Sequence, residues 1–409
     1  MAKKFIPAYL LTFVNVLGFS ILLPILPFVV ESYGAPEWVF GLLLTLYSAF
    51  QFIGAPLLGG MSDSMGRKRI LLVSQAGTFL SWVIFAIALL LPDFRVFGFA
   101  LPLIIIAISR ALDGITGGNV SVTNAYISDI TTREEKSYIF GYLGGIIGIG
   151  MIIGPGLGGL AGATSLGFLG TIFVAMAVSI LALIAIFFWL KESNPPENRV
   201  PREKISFWRL LNIPGRVRRA EPSEVVKSIF TVKLLFSTMM AFYIGTISLF
   251  LIDLFHFDAT ELGLFLFVVG LFLAFNQAVL SKLFVKQFGE FRTLLIGLLL
   301  CSLGLVAITL TSNLYLFVAF YYVMNLGLSL CFPTFNALIS MHANPKKQGE
   351  IMGISEAINS LTMALFPVVS AYLYGVFGFN LYFFISALPA AGLVLALMSM
   401  RKVGVKAFS

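Results

Sequence analysis

Charge is scarce in this sequence: Asp, Glu, Lys and Arg make up 11% of 409 residues, where a soluble domain averages about 25%. That excludes a water-soluble enzyme and a disordered chain alike. Cysteine is almost absent too. Cys301 and Cys331 lie inside apolar stretches with no metal-ligating neighbours, so neither a disulfide scaffold nor a metal site is expected. There is no phosphate-binding Gly-Lys-Ser/Thr loop, so ATP-driven work finds no support. No cofactor is implied, and the chain reads as a non-enzyme. Its two histidines, His256 and His342, fall in loops, and its one Asn-x-Ser/Thr sequence, Asn119-Val-Ser121, sits in an apolar run that no glycan could reach.

Apolar residues, 59% of the chain, fill the place of charge. They gather in runs of about 20, each able to cross a hydrocarbon core of about 30 Å. The first six runs cover residues 5–30, 37–58, 70–91, 99–126, 137–162 and 166–190. After a polar break at 191–228 come 229–252, 262–284, 293–311, 315–341, 350–374 and 382–400. A spanning strand needs only about 9–11 residues of alternating polarity, so the runs predict an all-α polytopic membrane protein of twelve helices. The opening Met1-Ala-Lys-Lys imitates a signal peptide, but its apolar run continues to Val30 without a small-residue cleavage pattern and reads as the first span.

The net charge of +8 follows from topology. With the N-terminus inside, 24 of the 27 Lys and Arg fall on the cytoplasmic side, which places both termini in the cytoplasm and removes any need for a nucleic-acid partner. Arg95 lies outside, Lys233 near a cytoplasmic helix end, and Arg110 within the membrane. In the central loop, Ile205-Ser-Phe-Trp208-Arg-Leu-Leu211 between Pro201 and Pro214 fits either a helix in the headgroup layer or a solvated tether.

An internal repeat is visible. Asn124-Ala-Tyr-Ile-Ser128 recurs as Asn336-Ala-Leu-Ile-Ser340, and the same offset maps Gly141 onto Gly353 and Pro155 onto Pro367. Ser62…Gly66-Arg67 has an echo in Ser281…Gly289-Glu-Phe-Arg292. The reading is an N-terminal six-helix bundle at 1–190, a cytoplasmic linker at 191–228 and a pseudo-symmetric C-terminal bundle at 229–409. Parallel repeats of this kind put the substrate between the halves, near the midplane.

Two motifs carry more than topology. Gly59-Gly-Met-Ser-Asp63-Ser-Met-Gly66-Arg67-Lys68-Arg69 could be a basic loop that sets orientation alone. Its glycines also permit a tight turn, and Asp63 stands where it can bond backbone N–H groups or a neighbouring arginine. Gly59, Asp63, Gly66, Arg67 and Lys68 then form a cytoplasmic gate that holds one conformation and releases in the other. Span five holds Gly141, Gly150, Gly154, Pro155, Gly158 and Gly159. These residues weaken a helix in water, whereas in a membrane they allow close helix approach and a local kink.

Together with Arg110-Ala-Leu-Asp113-Gly114, these motifs resemble the signatures of the major facilitator superfamily. The span-five pattern resembles the antiporter motif of its twelve-helix drug:proton antiporter branch. The likeness is strongest to tetracycline efflux pumps, through Leu23-Pro24-Ile-Leu-Pro27, the 59–72 loop, Arg110…Gly114-Ile-Thr-Gly117 and Ala125-Tyr-Ile-Ser-Asp-Ile-Thr131. The resemblance implies the major facilitator fold and alternating access by rocking of one bundle against the other. Departures matter as much. The titratable residues tied to coupling in those pumps fall on Asn15, Ser81, Leu273 and Cys301, so any proton coupling here rests on other groups.

Few titratable candidates remain. Arg110 lies about 12 residues, roughly 18 Å, into span four, with Asp113 one turn on and Asn15 at a similar depth. A charge at the bilayer centre costs about 2.5–3.5 kcal/mol, so such groups face a cavity and pair. Arg110 and Asp113 are either a permanent ion pair or a titrating one in which the arginine moves between the carboxylate and substrate or backbone. Glu356, about 9 Å beyond Glu350, is either an interfacial carboxylate or a cation or proton site of the second half. Asn15, Gln51, Asn119, Asn124, Tyr243, Asn276, Gln277, Tyr321, Tyr322, Asn325 and Asn359 imply a polar, partly wet interior. Taken singly, each is a source of interhelical hydrogen bonds worth about 1 kcal/mol. The function expected is proton-coupled efflux of a small amphiphilic organic compound by a monomer in the bacterial inner membrane. Its partners would be that small-molecule substrate, protons and the lipid bilayer. A proton-independent facilitator or importer, and a receptor or scaffold that does not transport, stay open.

Overall fold

A computed structural model describes residues 5–96, 98–132, 136–199, 213–343 and 348–403; the stretch Ile205–Leu211 lies outside them. Nearly all of it is helix, as it must be where hydrocarbon offers the backbone no partners. The first span divides into α1 (Ile6–Ser20) and α2 (Leu26–Ser32). Pro24 withholds a backbone donor at the break, and Pro27 fits the first turn of α2. Next come α3 (Glu37–Met65) and α4 (Arg67–Leu90). A two-stranded ribbon follows, β1 (Arg95–Val96) paired antiparallel with β2 (Phe99–Ala100), which the apolar pattern did not foretell. Span four is α5 (Leu101–Gly117) and α6 (Val120–Asp129), and α7 (Lys136–Gly162) and α8 (Phe168–Trp189) complete the first six spans.

After the short α9 (Ile213–Ala220), the second six begin with α10 (Glu224–Phe255). Span eight is α11 (Ala259–Phe275), one π-helical stretch at Asn276–Leu280, and α12 (Ser281–Phe288). The last are α13 (Glu290–Ala307), α14 (Leu314–His342), α15 (Gln348–Phe377) and α16 (Leu381–Val403). Ten apolar segments of the described residues are long enough to cross a membrane; one of them, Ile351–Ser399, contains both α15 and α16, and Ile6–Ser20 is a shorter apolar helix. Twelve spanning helices result.

The chain forms two compact units, Met1–Phe207 with Phe257–Phe267, and Trp208–His256 with Val268–Ser409. Each repeats the same internal pairing. In the first, α1 packs on α7 and α8 while α4 packs on α5 and α8. In the second, α10 packs on α15 and α16 while α13 packs on α14 and α16. Turns repeat too. Gly66 (φ 98°) both ends α3 and starts α4, and Gly289 (φ 77°) does the same for α12 and α13. Left-handed residues also recur as Gly167 and Gly378, both at φ 54°.

Small residues let backbones touch inside a unit. A methyl group on Gly54 would strike the Ile115 carbonyl, and one on Gly114 the Tyr47 carbonyl, so α3 and α5 meet main chain to main chain. Large apolar side chains such as Leu181, Phe187 and Phe188 stay exposed, as a lipid-facing surface requires.

Candidate functional site

Span four carries the deepest charges of the first unit. Arg110 and Asp113 lie one turn apart on α5, Nη1 to Oδ2 3.0 Å, with side chains 2% and 5% exposed. The hydroxyls of Ser81 and Thr78 on α4 face the same carboxylate. Ser81, read above as a departure from the efflux-pump pattern, thus lies beside Asp113. The guanidinium also rests 4.5 Å from the Trp82 ring centre and 5.3 Å from that of Phe85, within cation–π range. Its Nε is buried without a hydrogen-bond partner among the described residues.

An asparagine chain runs beside the break in span four. The α5 helix stops at Gly117, and α6 begins after Asn119, whose side chain makes no capping bond. Asn15 Nδ2 donates to Asn119 Oδ1 at 2.5 Å, and Asn119 Nδ2 donates to Ser74 Oγ at 3.1 Å. Three separate spans are tied by neutral hydrogen bonds. Gln51 Nε2 donates to the Tyr47 hydroxyl at 3.2 Å and to the Gly117 carbonyl at 3.3 Å, one of the carbonyls that the break leaves free. Asn124, by contrast, is exposed.

The 59–69 loop is a network rather than a single pair. Arg67 Nη1 reaches Asp63 Oδ1 at 2.5 Å and Ser62 Oγ at 2.6 Å, and Nε reaches Asp129 Oδ2 at 3.2 Å. Glu192, just past α8, accepts from the backbone N–H of Arg67 at 2.8 Å and of Lys68 at 3.1 Å, placing a carboxylate on the free donors at the start of α4. Lys68 Nζ donates to the Phe187 carbonyl at 2.8 Å. Asn194 closes the ring by donating to the carbonyls of Ser62 and Asp63 at 3.3 and 3.0 Å. Gly66 takes a φ of 98°, which a side chain would strain, and a Cβ there would also press on the Glu192 carboxylate, 2.6 Å away. Gly59 packs against Ser121.

Span five presents two glycine faces. Gly150, Gly154 and Gly158, each four residues apart, lie against Val16, Ser20 and Ile21 of span one, and Ser20 Oγ donates to the Gly150 carbonyl at 2.9 Å. Pro155 and Gly159 lie against the start of α11, where a Cβ on Gly159 would come 2.6 Å from the Ala259 carbonyl. Gly141 falls in the first turns of α7.

In the second unit the polar candidates form two clusters. Tyr243 and Tyr321 join hydroxyl to hydroxyl. At the π-helical stretch, Asn276 Nδ2 donates to Asn325 Oδ1 at 3.4 Å, Tyr322 donates to Asn276 Oδ1 at 3.0 Å, and Asn325 Nδ2 donates to the Val269 carbonyl at 3.2 Å. Such a stretch frees backbone groups locally. Gln277 is half-buried, and Asn359 and Glu356 are exposed.

Several residues escaped the sequence reading. Asp129, Glu192 and Asn194 lie beyond the apolar runs, and only their polarity at span ends marked them. Lys233, read as sitting near a helix end, is buried instead. The α10 helix already starts at Glu224, so Lys233 lies about 13 Å along it. Its Nζ donates to Ser355 Oγ at 2.5 Å and stands 3.9 Å from Glu356 Oε1.

Comparison with known proteins bears on this arrangement. A sequence profile described as Major Facilitator Superfamily matches residues 8–312 and, overlapping, 229–407. The chain is 28% identical over 389 residues to the class H tetracycline resistance protein of Pasteurella multocida, covering 91% of this chain and 90% of that one. It is 29% identical over 365 residues to the class C protein of Escherichia coli, with coverage of 88% and 87%. The crystal structure of the human organic anion transporter MFSD10 (TETRAN) matches with a TM-score of 0.72 at 23% identity, over 96% and 99% of the two chains. The partially occluded inward-open conformation of the xylose transporter XylE from E. coli matches at 0.71 and 15%, over 98% and 97%. The two structural likenesses speak for the fold.

Proposed function

The chain belongs to the major facilitator superfamily, and we propose that it exports a small amphiphilic organic compound in exchange for protons. It is a membrane transporter related to tetracycline efflux proteins, and not an enzyme. The antiport reading rests above all on the Arg110–Asp113 pair. A carboxylate this deep is either paired or protonated. Protonation of Asp113 removes the charge that holds Arg110, and the freed guanidinium turns to substrate or to backbone carbonyls. Deprotonation restores the pair. Proton and substrate then use one pair of groups in alternation, which is the requirement for exchange. Glu356 serves as the acidic group of the second half, and the asparagines and tyrosines above supply polar contacts.

The gate role falls to the Arg67 network. Asp63, Asp129 and Glu192 hold the ends of spans two, three and four together with the segment after span six, and release of these bonds accompanies alternating access. The glycine faces of span five permit the close helix contacts this motion needs. The distribution of basic residues supports placing this network and both termini in the cytoplasm. The repeat supports two pseudo-symmetric six-helix bundles at 1–190 and 229–409, joined by a linker at 191–228, in a monomer of the bacterial inner membrane.

A panel of fluorescent amphiphiles offered to energised everted membrane vesicles tests the reading. Accumulation that collapses with a protonophore and is lost in Asp113→Asn supports it. One observation favours a second reading, a proton-independent facilitator: Arg110, Ser81 and Thr78 already surround the Asp113 carboxylate. That reading predicts transport indifferent both to the protonophore and to Asp113→Asn.

A further inference from the structure

Three buried cations stand in the described spans and their ends, and two of them touch a carboxylate. Arg67 has Asp63 and Asp129, and Arg110 has Asp113, all within 3.2 Å. Lys233 differs. Its side chain is 9% exposed; among the described residues its hydrogen bond goes to the neutral Ser355, and the carboxylate beside it, Glu356, stays 3.9 Å away with 63% of its side chain exposed. An ammonium has three donors, so Lys233 keeps donor capacity to spare. A buried charge whose counter-ion is itself exposed to solvent and only at the limit of contact is costly, and its presence in a spanning helix marks a functional group.

The surroundings indicate what it meets. Glu356 and Asn359 share an exposed face of α15 one turn apart, and an exposed carboxylate at this depth faces water rather than lipid. Exposed Leu365, Val369 and Tyr372 make a separate apolar stripe on the same helix. Lys233 thus stands at the edge of a wet space. One turn along α10, Phe236 packs against Phe332 and Phe335 of α14, with ring centres 5.4 and 5.2 Å away. Phe236 and Phe335 are buried, so it is the cation that meets the wet space, and a cation there suits a ligand with an acidic head.

We propose that Lys233 recognises an anionic group of the transported compound, so that the substrate is an amphiphilic organic anion whose carboxylate or sulfonate takes the place of Glu356 at the ammonium. This deepens the export reading above and rests on it. Ser355 orients the ammonium, and the Glu356 carboxylate competes with the ligand for it.

The test uses the purified full chain and three probes that share one aromatic body: 1-naphthaleneacetate, its neutral amide, and 1-naphthylmethylamine. Melting shifts on binding report affinity by mass action. The anion raises the melting temperature of the wild type more than the amide or amine does. Lys233→Met weakens anion binding at least tenfold, Lys233→Arg retains it, and Glu356→Gln strengthens it; amide binding changes in none. The ligand-free melting temperature of each variant controls for folding, and Lys233→Arg with Glu356→Gln carries the test if Lys233→Met fails to fold. Anion binding that survives Lys233→Met, that Glu356→Gln weakens, or that is absent from the wild type overturns the proposal. A Lys233-dependent shift given by phosphatidylglycerol but not by naphthaleneacetate assigns the site to a lipid headgroup and overturns it as well. Failure of the export reading shows separately, as no gradient-driven accumulation of any probe by the wild type.

Discussion

The guanidinium of Arg110 lies 4.5 Å from the ring centre of Trp82, so a buried cation is shared between an indole face and the Asp113 carboxylate. The rings lower the cost of burying the cation. Ser81 and Thr78 face it with hydroxyls, which can accept as well as donate and so suit either protonation state of Asp113. The ion pair itself is local, three residues apart on one helix, while its ring and hydroxyl partners come from α4.

Arg110→Ala strands the Asp113 charge. The expected loss is about 3–5 kcal/mol of stability, as for other buried pairs broken on one side. Adding Asp113→Asn to Arg110→Ala removes the stranded charge and recovers most of the loss. Denaturation midpoints of the purified variants in detergent check both. A double variant no more stable than Arg110→Ala would contradict the pairing.

Replacing Arg67 by lysine tests the gate network. Arg67 addresses two carboxylates with two different nitrogens, Nη1 to Asp63 and Nε to Asp129, which a single ammonium cannot reproduce. Transport in everted vesicles is expected to fall at least tenfold in both Arg67→Lys and Arg67→Ala at equal protein level. Glu192→Gln, which removes a charge from the start of α4, costs about 0.3–1 kcal/mol in the melting assay.

Span five predicts opposite outcomes from the same substitution. A methyl on Gly154 would strike Ser20, so Gly154→Ala destabilises by about 1–3 kcal/mol. Nothing lies within 4 Å of a methyl on Gly145, so Gly145→Ala is neutral or stabilises by about 0.4–1 kcal/mol. Melting temperatures of the two variants separate a packing face from a mere run of glycine.

Length and polarity of the apolar runs made the twelve spans legible, because bilayer thickness sets the length of a helix directly. Breaks inside spans were not. Gly117-Gly118-Asn119 interrupts span four without any polar gap in the run, and the π-helical stretch at Asn276 is bonded to Asn325 and Tyr322, far along the chain. The Arg110–Asp113 spacing declared itself as one helical turn. The Tyr243–Tyr321 contact joins residues 78 apart, for which no local pattern exists. Lys233 was misplaced because the apolar run starts at Ile229 while the helix begins at Glu224, one turn and more before the hydrophobic signal does.

Coupling at Asp113 is tested most directly by comparing two modes of transport in the same proteoliposomes. One is accumulation driven by an imposed pH gradient, and the other is counterflow exchange of labelled for unlabelled compound with no gradient. The wild type is expected to perform both, while Asp113→Asn keeps counterflow and loses gradient-driven accumulation. An Asp113→Asn protein that still accumulates its substrate to the wild-type level under the pH gradient would contradict the account.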